Sequence, residues 1–466
     1  PGPASHHGAG LEEAAGGLPA ANRPPTALSP EEADMVESAG WPARLLEDPG
    51  KQPRVVHTAA EFARELLLGD HLEEVVVLPD GASLLGLCES DCLSGDIQQA
   101  LHQSDSVLGF FNALDDAALA SLQANVEFSP RPPGPQRDVL EAAEDAGLLP
   151  FGPAEQAAKD WWRWWRGPRP ADEDAAPTNE LARAVLARAG LARKAQAAAA
   201  LAAHDAPSAA SMYVCEMRWR DPRPCPATGL PSTSCCRRHC RSALGDLARW
   251  ALLWGCDDDG LFVGARGSGK GLHVDQRPES NVGKNWRGHK LFAVWPAGAA
   301  SGAVLQEFYG EVFQQPLSPG HLRALEAARR VVLLRPGDVF LFNGGLAHTT
   351  LCVSEGLGVT AYEGLLSLSL PHVTQFLRAC DEFAGDWRSV ADEWKGEVTE
   401  SLASLAESHL AERLPMPSPA GSLGALAPQE AAEIRRALPA LLRPAAAALA
   451  GDAACGPRLR GAHAVS

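Results

Sequence analysis

His273 and Asp275 stand two apart in Gly271-Leu-His-Val-Asp-Gln276. On an extended strand, residues two apart leave the same face with their backbones about 6 to 7 Å apart, so an imidazole and a carboxylate there can grip one ion. A third donor must come from elsewhere in the chain. His348 offers it at the end of Arg335-Pro-Gly-Asp-Val-Phe-Leu-Phe-Asn-Gly-Gly-Leu-Ala-His348, where a Pro-Gly-Asp turn feeds an apolar strand and a Gly-Gly loop presents the histidine. Two imidazoles and one carboxylate on one face of an octahedron leave three positions open. That suits iron(II), which can then take a bidentate 2-oxo acid and dioxygen, whereas structural zinc prefers a closed tetrahedral set. A His-x-Asp pair alone is common, so the surrounding segments must carry the assignment.

Three such segments occur in order. Leu261-Phe-Val-Gly-Ala-Arg-Gly-Ser-Gly-Lys-Gly-Leu-His273-Val-Asp275 is a glycine-rich strand and turn leading into the histidine and aspartate. Gly288-His-Lys-Leu-Phe-Ala-Val-Trp-Pro296 is a strand with a lysine near its start, and Gly337-Asp338 runs on to His348. Together, over residues 211 to 371, they resemble the JmjC family of iron(II)- and 2-oxoglutarate-dependent oxygenases. The resemblance implies a double-stranded β-helix, a cupin-like jelly-roll barrel, in which His273, Asp275 and His348 are the catalytic metal ligands. It implies that Lys290 pairs with the distal carboxylate of 2-oxoglutarate, with Thr360 as a polar neighbour. The chain departs from the family pattern in carrying Lys270 where a cosubstrate-binding threonine often stands. That second ammonium could reinforce the anion site or point outward. Asn343 replaces a common proline, and Asn281 and Asn285 are weaker candidates for contact with cosubstrate or iron-bound oxygen. The implied reaction couples oxidative decarboxylation of 2-oxoglutarate to oxidation of a substrate C–H bond, giving a hydroxylated side chain or, at an N-methyl group, demethylation.

Residue chemistry supports the assignment of Lys290. Lys290, Phe292 and Val294 share one strand face; if that face is interior, a buried ammonium is costly unless an anion meets it. If it faces solvent, the lysine only keeps the strand soluble.

The elements that must position these groups follow from pattern. Short strands between Gly, Pro and Asp are expected at 212–217, 261–263, 290–295, 331–334, 339–342 and 358–362, as in a sandwich or barrel. The expected organisation is α+β: a disordered Gly/Ala/Pro-rich tail over 1–53 and a small α/β region of unknown role over 54–128. A Pro/Ala-rich linker with a Trp-rich helical segment over 129–210 leads to the barrel over 211–371, and a helical C-terminal region over 372–466 could pack on it or dimerise. Within 54–128, helical runs are expected at 59–68, 97–101 and 115–122, around a strand at 74–78. The tryptophans at 161, 162, 164 and 165 either pack on the barrel or form a docking surface.

The 466 residues carry a formal net charge of -17, which argues against direct nucleic-acid or membrane-surface binding and suits a basic protein substrate of histone or ribosomal type. Eleven cysteines without a dense framework fit a reducing compartment, nucleus or cytoplasm. The longest apolar stretches fall far short of the roughly 20 residues of a membrane span. Cys215, Cys225, Cys235, Cys236, His239 and Cys240 lack regular zinc-ribbon spacing and fit free thiols better than a zinc site, within the one local patch of arginines. The Gly264–Gly271 run fails the phosphate-loop pattern because Gly271 follows Lys270. Two classes of function remain: an active oxygenase, as protein hydroxylase or as lysine or arginine demethylase, and a catalytically silent scaffold whose pocket Lys270 has spoiled.

Overall fold

The computed structural model describes residues 27–68, 73–85, 87, 89, 93, 95–115, 118, 122–129, 211–219, 252–255, 260–275, 280–296 and 299–367. The fold is a mixed α+β one built on a large antiparallel sheet. In chain order come helices α1 (Pro30–Ser38) and α2 (Ala43–Glu47), strand β1 (Arg54–Val55), α3 (Ala59–Leu68), β2 (Val76–Leu78) and α4 (Gly81–Leu84). Strands β3 (Leu122–Ser129), β4 (Ser211–Trp219), β5 (Leu252–Gly255), β6 (Gly260–Gly264), β7 (Ser280–Arg287) and β8 (Lys290–Val294) follow, then β9 (Arg330–Leu334), β10 (Val339–Asn343), β11 (His348–Cys352) and β12 (Gly358–Ser367).

Nine strands form one sheet in the order β1-β2-β10-β7-β12-β6-β4-β3, with β5 beside β12; β11-β8-β9 form a second, three-stranded sheet. From β7 onward the chain crosses between the sheets at every step but one, the antiparallel β8–β9 pair within the smaller sheet. The alternation of side chains explains the layering. Along β8, Phe292 and Val294 point inward to meet Phe340 and Phe342 of the large sheet, so the two sheets share an apolar interior. Leu291 and Ala293 point outward, onto a cluster with Val36, Trp41, Leu325 and Phe313. The outer face of the large sheet is covered by helices Gly95–His102 and Val107–Ala113, through Ile97, Phe110 and Phe111 against Val263, Val359 and Ala361.

Two expectations differ from the structure. Residues 30–38 and 43–47, expected within a disordered tail, are helical. Ser29 and Glu32 form a reciprocal capping box, and Trp41 is fully buried with its indole N–H donating to the Phe313 carbonyl at 2.7 Å. One large aromatic thus supplies the apolar area that composition alone did not promise. Within 54–128, strands β1, β2 and β3 join the large sheet. Leu122, expected at the end of a helix, opens β3 instead, whose ladder with β4 overrides local preference. The Trp cluster, Cys225 to Cys240 and the helices expected over 372–466 lie outside the described residues. Among those described, no helix is long and apolar enough to cross a membrane.

Candidate metal centre and anion pocket

A glycine-rich segment brings the first two donors into place. It runs hard against β11 and the loop at Gly310: a Cβ on Gly269 would lie 1.9 Å from the Thr350 carbonyl oxygen, and one on Gly271 2.2 Å from that of Gly310. No other residue type permits this approach. The chain then meets the start of β11, where His273 and His348 exchange two backbone hydrogen bonds of 3.0 and 2.9 Å. Residues directly opposite in such a pair share a face, and the two imidazole centroids lie 4.2 Å apart.

Asp275 completes the set. Its amide donates to the Gly344 carbonyl at 2.9 Å, and its Oδ1 lies 3.3 Å from His273 Nε2 and 3.7 Å from His348 Nε2. One donor atom from each residue falls within 4.8 Å of the others. The Nδ1 atoms of His273 and His348 each sit 2.8 Å from a carbonyl two residues back, Gly271 and Leu346. A carbonyl can only accept, so each Nδ1 carries the proton and each Nε2 of a neutral ring presents its lone pair to the carboxylate.

Electrostatics sharpens this. Burial, then the neighbouring His273, pushes the pKa of His348 down to about 4, so its ring is neutral at pH 7. Withdrawal from water would raise the Asp275 carboxyl, but His348, His273 and the Asn281 amide outweigh it and hold its pKa below the ordinary value. Two imidazole nitrogens and an anionic oxygen converge here, and a cation can accept from all three at once. The donor set therefore fits a divalent metal, with His273, Asp275 and His348 as its holders. The cluster opens to solvent on the side of Asp275, whose side chain is 29% exposed against 5% for His348. Phe342 and Phe292 wall His348 at ring separations of 4.9 and 5.9 Å.

Deeper in the same interior lies Lys290. It is 1% exposed, paired across β11 with Cys352, while Val294, four residues on, pairs with His348. The lysine backbone is thus about 13 Å along the strand from the metal donors. Its Nζ donates to the Tyr213 hydroxyl at 3.0 Å and lies 5.4 and 5.7 Å from the Tyr213 and Tyr362 ring centroids. Burial depresses its pKa, with the Cys352 and Cys215 sulfurs opposing, and raises that of Tyr213. Among the described residues no carboxylate pairs with this ammonium. Tyr362 bridges the two ends: burial raises its pKa, and Cys352 and then Asp275 add to the rise.

The remaining expected residues are placed as follows. Lys270 is half-buried on the glycine-rich segment, its Nζ 3.9 Å from Cys215 Sγ. Thr360 is buried, and its hydroxyl donates to Asn285 Oδ1 at 2.9 Å. Asn281 Nδ2 donates to Asp275 Oδ2 at 2.6 Å. Sequence reasoning missed Tyr213 and Tyr362. The chain has only three tyrosines, and both fall in strands read from the sequence; Tyr362, two residues from Thr360, shares its strand face, a signal that was available, whereas nothing in 212–217 marked Tyr213.

The site and fold together define an α+β protein with a two-histidine, one-carboxylate cluster at the mouth of an interior between two sheets. No protein-family model matches the chain, and no curated protein does. Among solved structures, the ribosomal oxygenase YcfD from Escherichia coli matches at 16% identity over 49% of this chain and 45% of that one, with a TM-score of 0.21. YcfD in complex with cobalt and succinic acid matches at 17% identity over 50% and 47%, with a TM-score of 0.20. The chain spans about half the length of the structures it matches, and at these scores the likeness adds nothing to the geometric argument.

Proposed function

We propose that the chain is an iron(II)- and 2-oxoglutarate-dependent oxygenase of the JmjC kind, folded as a double-stranded β-helix, that hydroxylates a side chain of a protein substrate. The observation that carries this reading is the coexistence, in one interior, of an open His-Asp-His donor set and a buried ammonium lacking a carboxylate among the described residues. A metal alone would explain the first, and an anion alone the second. A small diacid that chelates the metal at one end and offers a carboxylate to Lys290 at the other satisfies both.

In this reading His273, Asp275 and His348 hold iron(II), which when bound supplies the activation of dioxygen. Lys290 and Tyr213 bind and orient the distal carboxylate of 2-oxoglutarate, and Lys270, beside β11, adds positive potential. Phe292, Phe342 and Tyr362 exclude water from the space between, where a low dielectric strengthens the ammonium–carboxylate contact. The substrate side chain enters past Asp275, the open side. A net charge of -17 favours a basic protein segment there.

The test is succinate formation from 2-oxoglutarate by the full chain with iron(II), with mass spectrometry of candidate basic peptides. Succinate that disappears in His273→Ala, with a gain of one oxygen on a peptide, is the expected outcome. A chain that binds iron yet releases no succinate with any peptide refutes the oxygenase reading in favour of a scaffold.

A further inference from the structure

A carboxylate beside a divalent ion can give it one oxygen or two, and the difference decides how many positions remain open. In this chain the second oxygen is already engaged. Asp275 Oδ1 faces both histidines, while Oδ2 turns away and accepts from Asn281 Nδ2 at 2.6 Å. Asn281 is held firmly, since it lies near the start of β7 between β10 and β12, opposite Phe342 and Gly364. The loop behind the carboxylate leaves no slack either. A Cβ on Gly344 would lie 2.2 Å from Asp275 Oδ2, 2.8 Å from Asn281 Nδ2 and 3.0 Å from Asp275 Cβ, and the Gly344 carbonyl accepts from the Asp275 amide. Carboxylate, amide and bare glycine backbone thus form one close-packed clamp.

We propose that Asn281 is a positioning residue of the metal centre, whose amide keeps Asp275 a single-oxygen ligand and so preserves the open positions that a chelating 2-oxo acid needs. The inference rests on the metal reading above. Without the amide, Oδ2 is free to swing to the ion, and the carboxylate loses the bond that fixes its angle. Gly344 has the complementary part: any side chain there displaces the carboxylate or the amide.

The test uses the full chain and cobalt(II) alone, read by its visible absorption band and by calorimetry, with thermal unfolding of the metal-free chain as control. Asn281→Leu removes the donor and keeps the shape; Asn281→Ala removes both and serves if the leucine variant fails to fold. Cobalt(II) should bind about 10- to 100-fold more weakly in either, with a changed band and little change in the unfolding temperature. A subsequent titration with 2-oxoglutarate should perturb the variant band less than that of the unaltered chain. An unaltered chain that binds cobalt(II), with the same affinity and band in the variants, overturns the inference alone. An unaltered chain that binds no cobalt(II) overturns the metal reading and this inference with it.

Discussion

The two ends of the interior are built on opposite principles. At the mouth, each donor is held by backbone or amide: the histidines through their Nδ1 protons, Asp275 through Asn281 and Gly344. That end is preorganised, and its lone pairs wait for a cation. At the deep end a flexible lysine is buried beside a phenol, two thiols and aromatic faces, with none of the described carboxylates to neutralise it. The mouth is thus marked by rigid geometry, and the deep end by a charge that no described carboxylate answers. Disrupting the first should abolish a function; disrupting the second should weaken binding while relieving the fold.

The largest effect is expected at the mouth. His348→Ala should weaken cobalt(II) or manganese(II) binding by more than about 100-fold, beyond the range of changes to outer partners, and abolish turnover. Calorimetry checks the first, succinate release the second. At the deep end, Lys290→Met should raise the dissociation constant for 2-oxoglutarate about 10- to 100-fold, the worth of a charge-assisted contact of about 1.5–3 kcal/mol. Metal affinity should not change. The metal-free chain should unfold at the same temperature or a higher one, because an isolated buried charge has been replaced by an apolar side chain; a marked fall would mean that the lysine is a structural strut. Tyr213→Phe should cost less, about 1 kcal/mol or roughly fivefold in the same constant, as one neutral partner is lost.

The smallest effect on either end is expected from Asp338, in the turn that launches β10. Its carboxyl accepts from the Arg335 and Asp80 amides, yet burial raises its pKa from 3.8 to about 6. The folded chain therefore holds a proton that the unfolded chain releases between those values. Stability from this group is full below about pH 4 and is lost as pH rises through 6. Asp338→Asn should flatten that part of the stability-versus-pH curve in chemical unfolding and leave 2-oxoglutarate affinity alone.

The mouth was the more legible end. His273 and Asp275 are legible through their spacing together with the segments around them, and Lys290 through the strand face it shares with Phe292 and Val294. What stayed hidden depended on contacts distant in sequence. β7, Ser-Asn-Val-Gly-Lys-Asn-Trp-Arg, has no strand-like composition and forms because β10 and β12 flank it, so Asn281 could not be placed against Asp275. Trp41 needed a partner 272 residues away before its segment could be seen as folded. Thr360 stands out in the sequence as a polar group on its strand, but only the structure pairs it with Asn285.

The central claim is that one diacid spans both ends, and its most direct measurement is the affinity for 2-oxoglutarate of the full chain with and without manganese(II), for the unaltered protein and for Lys290→Met. Tight binding that requires both the metal and the lysine is the predicted result. An affinity indifferent to either one would contradict it.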